Sequence, residues 1–197
     1  MTCAAKPIFF ALLMAQIAAR PIDPQTVASR ARLSDLAVLD LSGHAMRYSK
    51  LSGKVTVVAF ISTRCPMSNA FNSRLNALYN EFENRVKFVA VNSNANESLD
   101  EVRRHAQNIG YDFPVYKDVN NAMADFLGAR ATPDTFVIDR EGTVAYHGYI
   151  EDAPNPERAR NHALRLAIEA VLQHRRVLMP ETHSLGCAIK RTRSRDN

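Results

Sequence analysis

Residues 55–61 read VTVVAFI, an unbroken run of mainly β-branched and aromatic side chains. A run without regular polar alternation is typical of a strand that is buried on both faces of a parallel sheet. Such a sheet needs helices packed over both of its faces. This single segment therefore predicts an α/β fold, because neither a helical bundle nor a half-solvated antiparallel sheet requires a strand of this kind.

The rest of the chain supplies the elements that such a sheet needs. Spacings of three and four between apolar residues predict helices, and short apolar runs between turn residues predict strands. The expected order is a hairpin within residues 33–51, the strand 55–61, a helix over 67–84, a strand over 86–91, a helix from Ser98 to Ile109 with a Ser98/Glu101 capping box, an extended piece over 113–116, a short helix over 121–127, strands over 135–138 and 143–150, and a helix over 157–173. This order predicts a mixed central sheet flanked by helices, with an N-terminal hairpin extension.

Length and charge narrow the function classes. The 197 residues suit one domain with a removable leader and a tail, and the composition, 46% hydrophobic and 23% charged, is that of a globular protein. The net charge of +5 gathers near the end, in residues 174–176 and 190–195. Because these basic residues are not interleaved with aromatic ones, a solvated tail is favoured over a nucleic-acid or membrane patch.

The first nineteen residues resemble a secretory leader. Lys6 precedes an apolar run over 8–17, and Ala18 and Ala19 follow it. The run is too short to span a bilayer, so we expect no stable membrane span. Residues 1–19 are therefore interpreted as a cleavable signal peptide and the protein as periplasmic or secreted; the alternative is an N-terminal helix that associates with a membrane surface. Cleavage would remove Cys3 and leave Cys65 and Cys187 in an oxidising compartment.

Cys65 directly follows the predicted buried strand and precedes a predicted helix. Unpaired amides and the positive end of the dipole at a helix start favour thiolate over thiol. Arg64 adds positive charge, and Pro66 suits a first helical turn because it has no amide proton to leave unpaired. A buried structural thiol is the alternative. The polar residues before Cys65 favour a reactive sulfur.

The order of these elements, with the motifs they carry, resembles the thioredoxin-like superfamily, and within it the redoxin and AhpC/TSA-type proteins of bacterial envelopes. The resemblance covers residues 33–190, and it is carried by Cys65-Pro66, the loop 92–96, Phe113-Pro114, Asp118, Thr132-Pro133, the turn 139–142, the stretch 146–152 and the terminal segment 186–190. It implies a three-layer thioredoxin-like domain over 33–176 and a tail over 177–197 that carries Gly-Cys-Ala-Ile-Lys. It also implies that the Thr132-Pro133 bond is cis, lies beside Cys65 and binds substrate.

The chain departs from its relatives at several positions. Ser68 stands where thioredoxins carry their second cysteine, and Ala59 stands where many of them bury an acid. Only half of the peroxiredoxin pattern before the reactive cysteine is present, because Ser62 matches its hydroxyl residue but Val58 replaces its proline. Pro133 aligns with the arginine that peroxiredoxins use. Arg64 or Arg130 would have to replace that arginine.

Three functions are consistent with these residues. The first is a thiol-disulfide oxidoreductase in which the Cys65 thiolate attacks a disulfide and Cys187, on a mobile tail, resolves the intermediate. Its partners would be protein or small-molecule disulfides and thiols with an external thiol reductant, and it would need no cofactor. The second is a thiol peroxidase, and the third is a non-catalytic binding module. No metal is expected, because the six histidines show no ligand spacing around Cys65.

Overall fold

A computed structural model of the protein describes residues 36–50 and 54–192. The predicted leader over 1–19, with Cys3, lies outside the described residues. No helix in the described ranges combines the length and the apolar character needed to cross a membrane.

The described residues form nine strands and five α-helices. The strands are β1 (Ala37–Leu39), β2 (Ala45–Arg47), β3 (Val55–Phe60), β4 (Val86–Asn92), β5 (Val115–Lys117), β6 (Ala131–Thr132), β7 (Asp134–Ile138), β8 (Val144–Gly148) and β9 (Cys187–Ala188). The helices are α1 (Pro66–Asn69), α2 (Asn72–Phe82), α3 (Leu99–Ile109), α4 (Ala122–Leu127) and α5 (Ala163–Leu172), with 3-10 turns at Tyr48–Lys50 and Pro156–Arg158.

Seven strands make a mixed sheet in the order β2-β1-β5-β4-β3-β7-β8. The central strand β3 is parallel to β4 and antiparallel to β7, and β4 is parallel to β5. The predicted hairpin is β1 with β2, which adds to the edge of the sheet through β5. Strands β6 and β9 form a separate two-stranded sheet.

The core lies on both faces of β3, as the apolar run over residues 55–61 predicted. Val57 and Ala59 belong to the cluster that includes residues of α2, α3 and α5, whereas Val58 and Phe60 belong to the cluster that includes residues of α4. Successive side chains of a strand point to opposite faces, so β3 anchors both layers. The result is the predicted three-layer thioredoxin-like α/β fold.

Two predicted helices differ from those observed. The helix predicted over 67–84 is divided into α1 and α2, because the Phe71 amide donates to the carbonyl of Ser68, three residues back, rather than to that of Met67, four residues back, and the Phe71 ring is buried. The last helix begins at Ala163 instead of residue 157. The amides of Arg160 and Asn161 both donate to the Asp152 carboxylate, at 2.8 and 3.1 Å, which holds this stretch as a loop.

Candidate active site

Cys65 lies at the carboxyl end of β3, where it caps α1. Its side chain extends from the N-cap position and accepts a hydrogen bond from the Ser68 amide at 3.4 Å. The thiol lies 3.1 Å from the Thr132 carbonyl, to which it donates. Only 2% of the residue is exposed. The sulfur is therefore held between the start of α1 and the loop that contains Pro133.

The Thr132-Pro133 peptide bond is cis, the geometry that the resemblance implied. Thr132 is the last residue of β6 and Asp134 is the first of β7, so this bond connects the small sheet to the large one. Thr132 itself is buried.

The chain's own C-terminal segment covers this loop. Strand β9 pairs antiparallel with β6, in a register that places Thr132 opposite Cys187 and Ala131 opposite Ala188. Gly186 lies so close to the loop that a Cβ atom there would come within 2.0 Å of the Thr132 carbonyl oxygen. Position 186 therefore has room only for glycine while β9 is in place.

Backbone contacts on both sides of Cys187 fasten this segment. The Ile189 amide donates to the Arg130 carbonyl at 2.9 Å, and the Ile189 side chain is buried. Further along, the Lys190 amide donates to the Asn94 side chain at 2.8 Å. On the other side, the Thr182 amide donates to the His147 carbonyl at 2.9 Å. The sequence led us to expect a mobile tail that brings Cys187 to the site; in the structure, backbone pairing holds it there.

Cys65 and Cys187 shift each other's pKa in opposite directions. Burial raises the pKa of Cys65, but hydrogen bonds from the Cys187 thiol, the Ser68 amide and the Cys187 amide outweigh it and lower the pKa below its ordinary value. The hydrogen bond to Cys65 raises the pKa of Cys187. Cys65 is therefore the more acidic of the two thiols, and Cys187 is the more exposed.

The start of α1 stabilises the Cys65 sulfur in a different way from the one we expected. Helix α1 has only four residues, so individual donors such as the Ser68 amide support the sulfur rather than the dipole of a long helix. Pro66 occupies its first turn. The Ser68 hydroxyl, in place of the missing second thiol, accepts the Ser62 amide at 3.0 Å. Arg64 directs its guanidinium to Glu101, at 2.5 Å, and more than half of its side chain is exposed.

A buried carboxylate that the sequence gave us no reason to expect hydrogen bonds to residues 61–65, the cysteine loop between β3 and α1. Glu97 is 3% exposed and accepts the Ser62 hydroxyl at 2.5 Å and the Thr63 amide at 2.9 Å. The Ser62 hydroxyl oxygen in turn accepts the Cys65 amide at 3.1 Å. The fold therefore does bury an acid near the cysteine, although Ala59 stands where many thioredoxins place theirs. The polar loop after β4 was the only signal in the sequence, and it gave no reason to single out Glu97.

The charge of Glu97 is balanced through an amide. Asn92 donates to Glu97 at 2.5 Å and accepts from the Lys117 ammonium at 2.8 Å. Burial lowers the pKa of Lys117, an effect that Glu97 opposes. Lys117 also donates to the Asn94 carbonyl at 2.6 Å, and Asn94 binds Lys190. One buried polar network thus supports both the cysteine loop and the C-terminal segment.

Histidine and metal chemistry find little support at this site. His147 lies 3.0 Å from the buried Asp134 carboxylate, which also accepts the Ser184 hydroxyl. Across residues 36–50 and 54–192, no group of three or more histidine, cysteine or acidic side chains could hold a metal ion.

Comparison with known proteins identifies the family. A thiol-disulfide oxidoreductase ResA of Geobacillus kaustophilus (strain HTA426) is 29% identical over 119 residues, 60% of this chain and 67% of that protein. Among solved structures, a hypothetical protein from Sinorhizobium meliloti 1021 is 33% identical with a TM-score of 0.73, over 82% of this chain and 93% of that one. An uncharacterized conserved protein from Geobacillus kaustophilus is 30% identical with a TM-score of 0.74, over 82% of this chain and 91% of that one. The sequence model of the AhpC/TSA family matches residues 30–147, so the chain belongs to the AhpC/TSA family.

Proposed function

We propose that this protein is a thiol-disulfide oxidoreductase whose redox pair is Cys65 with Cys187. Its family membership and the ResA relative, which is named for that activity, support the reaction class. The observation that carries the choice of residues is that β9 places Cys187 opposite Thr132, whose carbonyl accepts the Cys65 thiol at 3.1 Å.

A dithiol formed in this way serves the same chemistry as two cysteines within one motif. Thiol-disulfide exchange needs one sulfur to reach the other through a mixed disulfide, and the rate rises when the second sulfur is already in place. The pairing of Thr132 with Cys187 supplies that proximity across the 122 positions between the two cysteines (187 − 65). Ser68 then needs no thiol, because the second sulfur is on β9.

The partners follow from the exchange reaction. Protein or small-molecule disulfides and thiols are the substrates, and an external thiol closes the cycle, since the dithiol requires no cofactor to exchange electrons. The predicted leader over 1–19 supports a periplasmic or secreted location, in which such a disulfide persists.

The test maps the disulfide and the activity together. We would prepare the full chain with Cys3→Ser as a background, oxidise it mildly and identify linked peptides by mass spectrometry. The expected result is one Cys65 to Cys187 link, reduction of a disulfide substrate by the reduced protein, and a loss of turnover of about 100-fold in both Cys65→Ser and Cys187→Ser. Unchanged turnover in Cys65→Ser would refute the proposal and favour a binding module.

A further inference from the structure

Strand β9 occupies the backbone edge that flanks Cys65. In the cis-proline loop, the residue before the proline presents its amide and carbonyl to whatever strand lies beside it, and here that strand is β9. With Gly186 against the Thr132 carbonyl and Ile189 buried, no second extended chain can pair with Thr132 in the same place. An incoming polypeptide therefore meets β9 before it meets Cys65.

The two sulfurs also differ in access. Cys65 is 2% exposed, whereas Cys187 is exposed. In a disulfide between them, an attacking thiolate must approach along the sulfur-sulfur axis from the side opposite the leaving sulfur. The burial of Cys65 obstructs approach to its sulfur, whereas approach to Cys187 starts from solvent.

We propose that Cys187 is the sulfur that exchanges with substrate and that Cys65 is its internal partner, the reverse of the order expected from the sequence. This inference rests on the proposed oxidoreductase function. In the first step, a substrate thiolate attacks Cys187 Sγ: one substrate-to-Cys187 disulfide bond forms, the Cys65 to Cys187 bond breaks, and Cys65 leaves as thiolate.

The second step completes the electron transfer. A second substrate thiolate attacks the substrate sulfur of the mixed disulfide, which releases Cys187 as a thiolate that takes a proton. The substrate is oxidised by two electrons to its disulfide, and the protein disulfide is reduced to the dithiol. In the opposite direction, Cys187 gives up its proton and its sulfur attacks a substrate disulfide: a Cys187-to-substrate bond forms, the substrate disulfide breaks, and one substrate thiolate leaves and takes the proton. The Cys65 thiolate then attacks Cys187 Sγ, which forms the Cys65 to Cys187 bond and displaces the second substrate thiolate.

The site favours each of these roles. A sulfur leaves more readily when its thiolate is stabilised, and the Ser68 amide with the Cys187 amide supports the Cys65 thiolate. Because β9 already occupies the strand position beside Thr132, the substrate sulfur must belong to a small thiol or to a protruding loop rather than to an extended segment. Low-molecular-weight thiols therefore fit the site as built.

The first test locates the mixed disulfide. Oxidised protein carrying Cys3→Ser is mixed with glutathione, quenched with acid at the earliest accessible times and mapped by mass spectrometry. The expected result is a glutathione adduct on Cys187 in about tenfold excess over one on Cys65, since access decides which sulfur is attacked. A predominant adduct on Cys65 would overturn the inference while leaving the oxidoreductase function intact.

The second test needs no disulfide between Cys65 and Cys187 and therefore separates the two proposals. Cys65→Ser and Cys187→Ser, each with one reactive sulfur, are titrated with an aromatic disulfide that releases a coloured thiolate. We expect Cys187 to react about tenfold faster than Cys65, and we expect Gly186→Ala, which lifts β9 from Thr132, to accelerate only Cys65. Equal rates for the two sulfurs, or no effect of Gly186→Ala on Cys65, would contradict the inference. Leu185→Ala, a partly exposed neighbour, is the matched control and should leave both rates unchanged.

Discussion

Thr132 lies opposite Cys187 in an antiparallel pair, and the same Thr132 carbonyl accepts the Cys65 thiol at 3.1 Å. One backbone position thus joins Cys65, the cis-proline loop and Cys187.

The Cys187 thiol should govern the ionisation of Cys65. Its hydrogen bond lowers the pKa of Cys65, so Cys187→Ala should raise that pKa toward its ordinary value of 9.0. The thiolate absorbance in the ultraviolet, followed against pH in reduced protein, measures this change. Cys3→Ser, in the leader region, is the control. An unchanged titration midpoint would mean that the backbone amides of Ser68 and residue 187 stabilise the thiolate without the Cys187 thiol.

Ser68 should contribute stability through its hydroxyl and reactivity through its amide. Ser68→Ala leaves the buried Ser62 amide without its acceptor, which we expect to cost about 1–3 kcal/mol of unfolding free energy. The pKa of Cys65 should stay the same, because the Ser68 amide remains. Urea unfolding and thiolate titration together test this prediction, with the exposed Ser73→Ala as a control that changes neither.

Glu97 should stabilise the fold in a pH-dependent way. Burial raises its pKa, but hydrogen bonds from the Ser62 hydroxyl, the Thr63 amide and Asn92 outweigh this and lower the pKa below 4.5. A carboxyl whose pKa is lower in the folded state stabilises the protein fully above its unfolded pKa and loses this contribution as the pH falls through the folded value. The unfolding free energy should therefore fall on acidification below about pH 4.5.

Glu97→Gln should remove this part of the acid dependence and cost about 1–3 kcal/mol at neutral pH, since one amide group cannot accept from all three donors. Urea unfolding at several pH values measures both effects. Glu83→Gln, on an exposed residue, is the matched control. If both variants showed the same acid dependence as the wild type, Glu97 would not be ionised in the folded protein.

Ile189 should anchor β9 locally rather than stabilise the whole domain. Ile189→Ala removes a buried side chain from the cluster next to α4, so the segment 186–190 should exchange its amide hydrogens faster. Hydrogen exchange with mass spectrometry resolves this segment from β3 and β4, whose exchange should not change. Leu178→Ala, at a residue that is 94% exposed, controls for tail substitutions in general. Faster exchange throughout the sheet would show that β9 belongs to the global folding unit.

Peroxide should be a poor oxidant of Cys65. Pro133 occupies the position of the arginine that peroxiredoxins use, and Arg64 pairs with Glu101 instead of facing the sulfur. We expect sulfenic acid to form no faster than on a free thiol, as measured by stopped-flow mixing with hydrogen peroxide. Oxidation orders of magnitude faster would support the peroxidase alternative.

Much of the architecture could be predicted from local patterns. The buried run over 55–61, the Ser98/Glu101 capping box and the Thr132-Pro133 motif each predicted an observed feature, because strand burial, helix capping and family motifs depend on residues close together in the chain. The starts of α2 and α5 could not be predicted in this way. They depend on the burial of Phe71 and on the hydrogen bonds of Asp152, both of which are set by packing.

The sequence by itself determined that one cysteine follows a buried strand, that its usual partner position holds Ser68, and that a second cysteine lies near the end of the chain. Only the tertiary structure decided that Cys187 lies opposite Thr132, whose carbonyl accepts the Cys65 thiol, that Glu97 hydrogen bonds to the loop that leads to Cys65, and that the exposed sulfur is Cys187. The physical reason is that β-pairing and burial join residues far apart in the chain, whereas sequence periodicity reports only on neighbours.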